Sequence, residues 1–393
     1  MAKYFFLLLL LVGCTSKEDK NQNLKHSSKD SLVTNTIKIP STSEQKINDS
    51  LNAVAQIIAG TYPKGQLYSN ITANKNYSEF STDFSKRWSA FDSTRIRKLN
   101  EFRDKELVAE IKPEMTLFYP FSGPDILYAN LFFPTAEKFI LVGLEPVGSL
   151  PEFKKLEGDS IKRYYHTLNT SLNAILKFSF FRTEAMNKDL KNSEVNGTVH
   201  LLFLFLSRTA NNLVSAKPLT IDSLGNKVYI SSFEELKKAK LKSKGVEIIF
   251  KTPDNKIKEL NYFSLNVVDL ALNKNPGFKT YLESMKNFNT YLKGASYLLH
   301  KTYFSVVRNV ILHGASTIVQ DDSGIAYRYF LKSGATWDFK LFGDYTKPIS
   351  LFKNAYQKDL DSLYAQKGST ALGFGIGYNF KDKNSNLMIA KRK

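Results

Sequence analysis

The run Met115–Glu145, "MTLFYPFSGPDILYANLFFPTAEKFILVGLE", constrains the fold more than any other stretch of this chain. Its first seven residues are almost continuously apolar, as in a strand buried on both faces. "SGPD" then supplies turn chemistry, "DILYANLFF" has helical spacing, and "KFILVGLEP" is a second unbroken apolar run. Strand, helix and strand joined by short turns is the unit from which parallel sheets are built. The same alternation predicts a long helix from Asp159 to Leu190 and strands at Val199–Ser207, "VEIIFKT" and "LNYFSLNV". Helices are expected over Phe278–His300 and Phe304–His313. Near the carboxyl end, "STIVQDDSGIAYRYF" reads as a hairpin around Asp321 to Gly324, and "ALGFGIGYNFKDKNSNLMIAKRK" as a second pair of strands. The expected fold is α/β: a mostly parallel Rossmann-like sheet flanked by helices, with antiparallel carboxyl-terminal hairpin strands and an amino-terminal helical extension.

That extension covers residues 43–112. Ser43 is a plausible cap for a helix carrying Ile47, Leu51, Val54 and Ile58 on one face. Phe80, Phe84, Trp88 and Phe91 recur at intervals of four, four and three, the spacing of a buried helical stripe. No repeat and no second domain is evident, so residues 43–393 read as one domain.

The amino terminus addresses the chain rather than folding it. Lys3 precedes an apolar run from Tyr4 to Val12, too short to span a bilayer as a helix, for which ~20 residues are needed. The run ends in Leu11-Val12-Gly13-Cys14. This resembles the lipobox of bacterial lipoproteins, which implies cleavage after residue 13 and lipid modification of the Cys14 thiol. Cys14 is the only cysteine, which excludes an intrachain disulfide and a zinc–thiolate cluster. Residues 14–42, rich in Lys, Asn, Ser, Thr and Asp, follow as a disordered tether. The expected location is therefore the cell envelope, on either face of an outer membrane.

Fifty-five basic against 37 acidic residues give a net charge of +18. Residues 1–13 carry one of those lysines, so the remainder keeps +17. Such a charge favours anionic neighbours, which in an envelope are glycans or lipid headgroups. Nucleic acid is not expected. The basic run "ELKKAKLKSKG", Glu235–Gly245, fits a solvated helix face, and no aromatic-plus-basic stripe accompanies it.

Motifs with chemistry are few. The five histidines, His26, His166, His200, His300 and His313, show no metal-ligand spacing, and no metal site is expected. No G-x-S-x-G elbow or P-loop occurs. Arg182 could clamp an anion or pair with Glu184 or Asp189. Asp321 and Asp322 are either a cation or acid–base pair or simply turn material.

The turn Ser122-Gly123-Pro124-Asp125 presents backbone N–H groups and a helix start to an anion, and Glu145 closes the second strand ~20 residues later. Dinucleotide and adenosyl-ligand folds place an acid there on ribose hydroxyls. Turn, spacing and closing antiparallel strands resemble class I methyltransferases, which implies Ser122, Gly123, Asp125 and Glu145 as ligand-binding positions. Asp125, Glu145 and Asp322 are the catalytic candidates. The glycine-rich G-x-G-x-x-G pattern is missing, and adenosyl and nucleotide cofactors are not supplied outside the inner membrane, so no cofactor is expected. Two functions remain open. One is an envelope lipoprotein that binds an anionic component or partner; the other is a Rossmann-like transferase or hydrolase acting on envelope material.

Overall fold

A computed structural model describes residues 46–180, 194–380 and 384–393. The lipobox, the tether, Ser43 and Arg182 lie outside those residues, as does most of the stretch expected to carry the long helix beyond Phe178.

Ten strands form one sheet in the order β4-β3-β5-β6-β2-β1-β7-β8-β10-β9. The centre is parallel: β6 (Ile257–Ser264), β2 (Lys138–Gly143), β1 (Thr116–Pro120), β7 (Phe288–Leu292) and β8 (Ala315–Gln320). These central strands are buried along nearly their whole length. Alternate residues feed two apolar layers. Leu117, Tyr119, Phe139, Leu141 and Tyr291 face one side, and Phe118, Ile140, Val142, Leu292 and Ile318 the other. Each such side chain contributes roughly 1.5–3 kcal/mol by leaving water.

Both flanks are antiparallel. On one side β3 (Asn212–Ile221), β4 (Lys227–Tyr229) and β5 (Lys244–Lys251) extend the sheet from β6 by hairpins. On the other, β10 (Asn386–Arg392) lies between β8 and β9 (Trp337–Gly343) and runs against both. Among the described residues, parallel pairings are thus the minority, and the sheet is mixed rather than mostly parallel. The reason is local. Asp222 accepts the amides of Leu224 and Asn226, and Asn255 takes a left-handed φ of 65°, so both segments close as tight turns with no room for crossover helices.

Three sequence expectations are corrected. Val199–Ser207 is not a strand but most of the helix Val199–Arg208, whose first eight residues are all buried. Its seven-residue span from Val199 to Phe205 holds a single polar side chain, His200, so over that length it reads like a strand buried on both faces. The segment Phe278–His300 is α-helical only as far as Glu283, the end of the helix Pro276–Glu283; it then turns at Asn287, becomes β7 and ends in a single 3-10 turn, Leu298–His300. The expected carboxyl-terminal hairpins are built otherwise. The turn after β8 leads to a short helix, Tyr327–Leu331, and the antiparallel partners of β10 are β8 and β9 rather than "ALGFGIG".

The expected amino-terminal helices are present. Asn48 caps Asp49–Ile58 by accepting from the Leu51 amide at 3.0 Å. The Phe80 to Phe91 stripe is the buried face of Lys75–Phe91, and Phe80 stacks on Tyr165 of the helix Asp159–Phe178 at 4.3 Å between centroids. The connection β1–β2–β6 runs to one side of the sheet and β7–β8 to the other, so the direction of winding reverses between β1 and β7. In open α/β sheets, ligands bind outside the carboxyl ends of the strands at such a reversal.

Candidate functional site at the carboxyl edge of the sheet

β1 ends at Pro120, and the chain reverses through Phe121 (φ 61°) and Gly123 (φ 55°). Ser122 holds this turn to β2 through its amide, which donates to the Val142 carbonyl at 3.0 Å; its hydroxyl donates to Gly123 O. Asp125 caps the helix Ile126–Phe132 by accepting the Tyr128 amide at 3.2 Å. Its other oxygen accepts from Lys293 Nζ at 2.6 Å and the Tyr119 hydroxyl at 3.0 Å. Both side chains of the ion pair are 1% exposed, and the ammonium sits 3.3 Å from the Tyr128 ring centroid. Burial pulls Lys293 down to about 8 and Asp125 up, each opposed by the other's charge.

Lys293 directly follows β7 and begins a loop with three left-handed residues: Gly294, Ser296 and Tyr297, at φ 54–58°. For the two non-glycines this backbone is costly and persists only where the surroundings impose it. The turn after β8 imposes it. Asp321 accepts the Gly294 amide at 2.8 Å, and the Ser323 hydroxyl accepts the Ala295 amide at 2.8 Å while itself donating to Asp321. Asp322 accepts from the Tyr297 hydroxyl at 2.7 Å and from the Asn386 side chain at 3.1 Å. Burial, reinforced by the neighbouring Asp322, pushes Asp321 up to about 7; burial raises Asp322 as well.

Glu145 is fully buried between Gly123 and Gly143. A methyl group at position 143 would lie 2.4 Å from Glu145 Oε2 and 2.9 Å from the Gly123 Cα, so only glycine fits. Tyr262 donates to the Glu145 carbonyl at 2.8 Å and approaches Oε2 at 3.4 Å. Oε1 has no hydrogen-bond partner among the described residues.

Above these groups opens a cleft of about 750 Å³. Phe121, Phe304, Leu265, Leu298, Phe352 and Tyr378 supply much of its wall, and Gly123, Gly143 and Gly294 let it approach the backbone. Its wall holds no Lys, Arg, Asp or Glu among the described residues. The polar side chains are Asn266, Ser296 and Tyr378, of which the last two bond each other at 2.6 Å. A larger groove of about 1230 Å³ lies along the helices Lys75–Phe91 and Asp159–Phe178. It is open, polar and shares no residue with the sheet edge.

The predicted residues therefore gather at one edge, but only Gly123 lines the cleft. Ser122, Asp125, Glu145, Asp321 and Asp322 form its buried support. Sequence reasoning missed Lys293, Tyr297 and Asn386, which tie that support together; the signal for Lys293 was the Lys-Gly pair directly after the apolar run "FNTYL".

The fold and site define an α/β protein with a mixed ten-stranded sheet and an apolar cleft at its carboxyl edge. No protein-family model, curated protein or solved structure matches the chain.

Proposed function

We propose that the protein is a lipid-anchored component of a bacterial envelope, attached through Cys14, that binds an organic ligand in the carboxyl-edge cleft of a Rossmann-like scaffold similar to class I methyltransferases. The cleft carries this reading: its volume lies in the range of single-ligand sites, and its wall is apolar with few polar groups. The scaffold reading draws support from the strand order. Counted along the chain without the β3–β5 insertion, the strands lie third, second, first, fourth, fifth, seventh and sixth, with the seventh reversed.

Binding is favoured over catalysis because the candidate acids are committed elsewhere. Asp125 serves Lys293, Tyr119 and a helix cap, and Asp322 serves Tyr297 and Asn386. The anionic partner suggested by the net charge has no counter-charge inside the cleft, so any anionic group would sit outside it.

The test is fluorescence titration of the full chain with an uncharged aromatic probe, N-phenyl-1-naphthylamine. Leu144 and Leu351 line the cleft yet are 54% and 77% exposed, so they can be replaced without harm to the core. Saturable binding at one site, weakened at least about fivefold by L144D/L351D at unchanged Tm, is the expected result. Absence of saturable binding would refute the reading.

A second reading, an enzyme on the same scaffold, is favoured by one observation: Glu145, two residues beyond β2, holds a buried carboxylate oxygen with no hydrogen-bond partner among the described residues against two cleft-lining glycines. It predicts that Glu145→Gln abolishes turnover of a bound ligand while leaving affinity for the uncharged probe intact.

A further inference from the structure

We propose that the occupant of the cleft is a single-chain anionic amphiphile, its alkyl or acyl chain inside and its anionic head held at the mouth by Lys301, Lys347 and Lys353. This rests on the proposal that the cleft is a binding site and adds the chemistry of what it binds.

The inside of the cleft offers almost nothing to a polar molecule. Ser296 and Tyr378 bond each other, and Asn266, whose Oδ1 accepts the Val268 amide, is the remaining polar wall side chain among the described residues. A nucleotide or sugar would bury hydroxyls and amides with too few partners, at a cost for each. A hydrocarbon chain has no such groups.

The mouth has a different character. Leu144 and Leu351 stand in solvent at its edge, and Tyr303, 53% exposed, precedes the wall residue Phe304. Contiguous exposed apolar side chains at a cavity entrance mark a surface that something apolar crosses or covers. Three lysines flank wall residues along the chain. Lys301 lies three residues from Leu298 and from Phe304, Lys347 lies two residues before Ile349, and Lys353 follows Phe352; all three are exposed. None of the three forms an ion pair among the described residues.

Two further cations deepen the field without cancelling it. Arg308 donates to the carbonyls of Leu299 and Lys301, and Arg328 to that of His300, so both guanidiniums serve backbone oxygens rather than carboxylates. The acids nearest in sequence are Glu145, buried next to Leu144, Asp269, which accepts the amides of Ser305 and Val306, and Asp344, which is exposed, so the five cations outnumber them. An apolar cavity whose flanking segments carry more cations than acids among the described residues is complementary to a chain with an anionic end. A fatty carboxylate and a lysophospholipid phosphate share that chemistry.

The test uses the full chain and displacement of N-phenyl-1-naphthylamine by four lipids of one chain length: oleate, oleoyl-lysophosphatidylglycerol, oleoyl-lysophosphatidylcholine and monoolein. We expect at least one of the two anionic lipids to displace the probe about tenfold more strongly than monoolein, with the zwitterion between them. The triple variant K301Q/K347Q/K353Q should lose most of that preference while binding the probe and monoolein unchanged and keeping its Tm. Preference for oleate alone points to a fatty acid, and for the lysophosphatidylglycerol alone to a phospholipid; either supports the proposal. Equal displacement by oleate, lysophosphatidylglycerol and monoolein, or a preference untouched by the triple substitution, would overturn it while leaving the cleft reading standing. Failure of the probe itself to bind would instead remove the cleft reading.

Discussion

The backbone amide of Gly294 donates to the carboxylate of Asp321 across 2.8 Å, joining the loop after β7 to the turn after β8. Gly294 lines the cleft and Asp321 is buried behind it, so the charge of a hidden acid bears directly on the shape of an open wall.

A pH dependence follows. The folded Asp321 carboxyl titrates near 7, above its ordinary value of about 4, because burial and Asp322 disfavour the anion. Between those values the folded chain holds a proton that the unfolded chain has released, so stability falls as pH rises from about 4 to about 7 and levels off above. The slope has a ceiling of about 1.4 kcal/mol per pH unit for one proton. Urea unfolding at pH 5 and pH 7.5 measures it, and Asp321→Asn should flatten the difference. Equal slopes in the two proteins would show that the acid does not titrate there.

The Lys293–Asp125 pair is expected to behave as a buried unit. Lys293→Met leaves a carboxylate enclosed with only Tyr119 and one amide, and should cost about 3–5 kcal/mol in denaturant unfolding. Asp125→Asn combined with Lys293→Met should recover a substantial part of that loss, because no bare charge then remains. A double variant as unstable as the sum of the singles would mean that the two groups do not interact.

Gly143 is fixed by contact rather than by φ. Gly143→Ala drives a methyl group into the Glu145 carboxylate and the Gly123 backbone, and should destabilise by about 1–3 kcal/mol. Shortening the acid with Glu145→Ala removes only the first of those clashes, so the pair should be partly compensatory. Thermal denaturation of the two single variants and the double variant decides the point.

Cys14 lies outside the described residues, and its prediction comes from the sequence. Wild-type chain expressed in a Gram-negative host should incorporate labelled palmitate and fractionate with membranes, and Cys14→Ser should do neither. Equal labelling of both would remove the anchor.

The parts of this fold that could be read from residues are those buried in a regular way. β1, β2, β5 and β6 announce themselves as short apolar runs between turn residues, and the Phe80 to Phe91 stripe marks its helix. The helix Val199–Arg208 escapes because a run with a single polar side chain from Val199 to Phe205 reads equally as a buried strand. Lys293 escapes because a few residues of turn around Asn287 separate a helix from a strand, and a reading that continued the helix hid the end of β7. Glu145 could be found by its distance from the turn. That its carboxylate is wedged between Gly123 and Gly143 depends on how β1 and β2 approach each other, which no local pattern records. Asp321 and Asp322 were visible as turn material, and the turn is real; their second task, clamping a strained loop from another strand, is tertiary.

The position of β10 sets when this molecule can be finished. Among the described residues β9 pairs with β10 alone, apart from one isolated bridge to Thr370 outside the strands, so a chain lacking Asn386–Arg392 would leave β9 detached from the sheet. β9 thus waits on the seven-residue strand β10, and Asn386 within β10 also supplies a partner of Asp322. A polypeptide arranged this way leaves that edge of its sheet unfinished until residues 386–392 have been added.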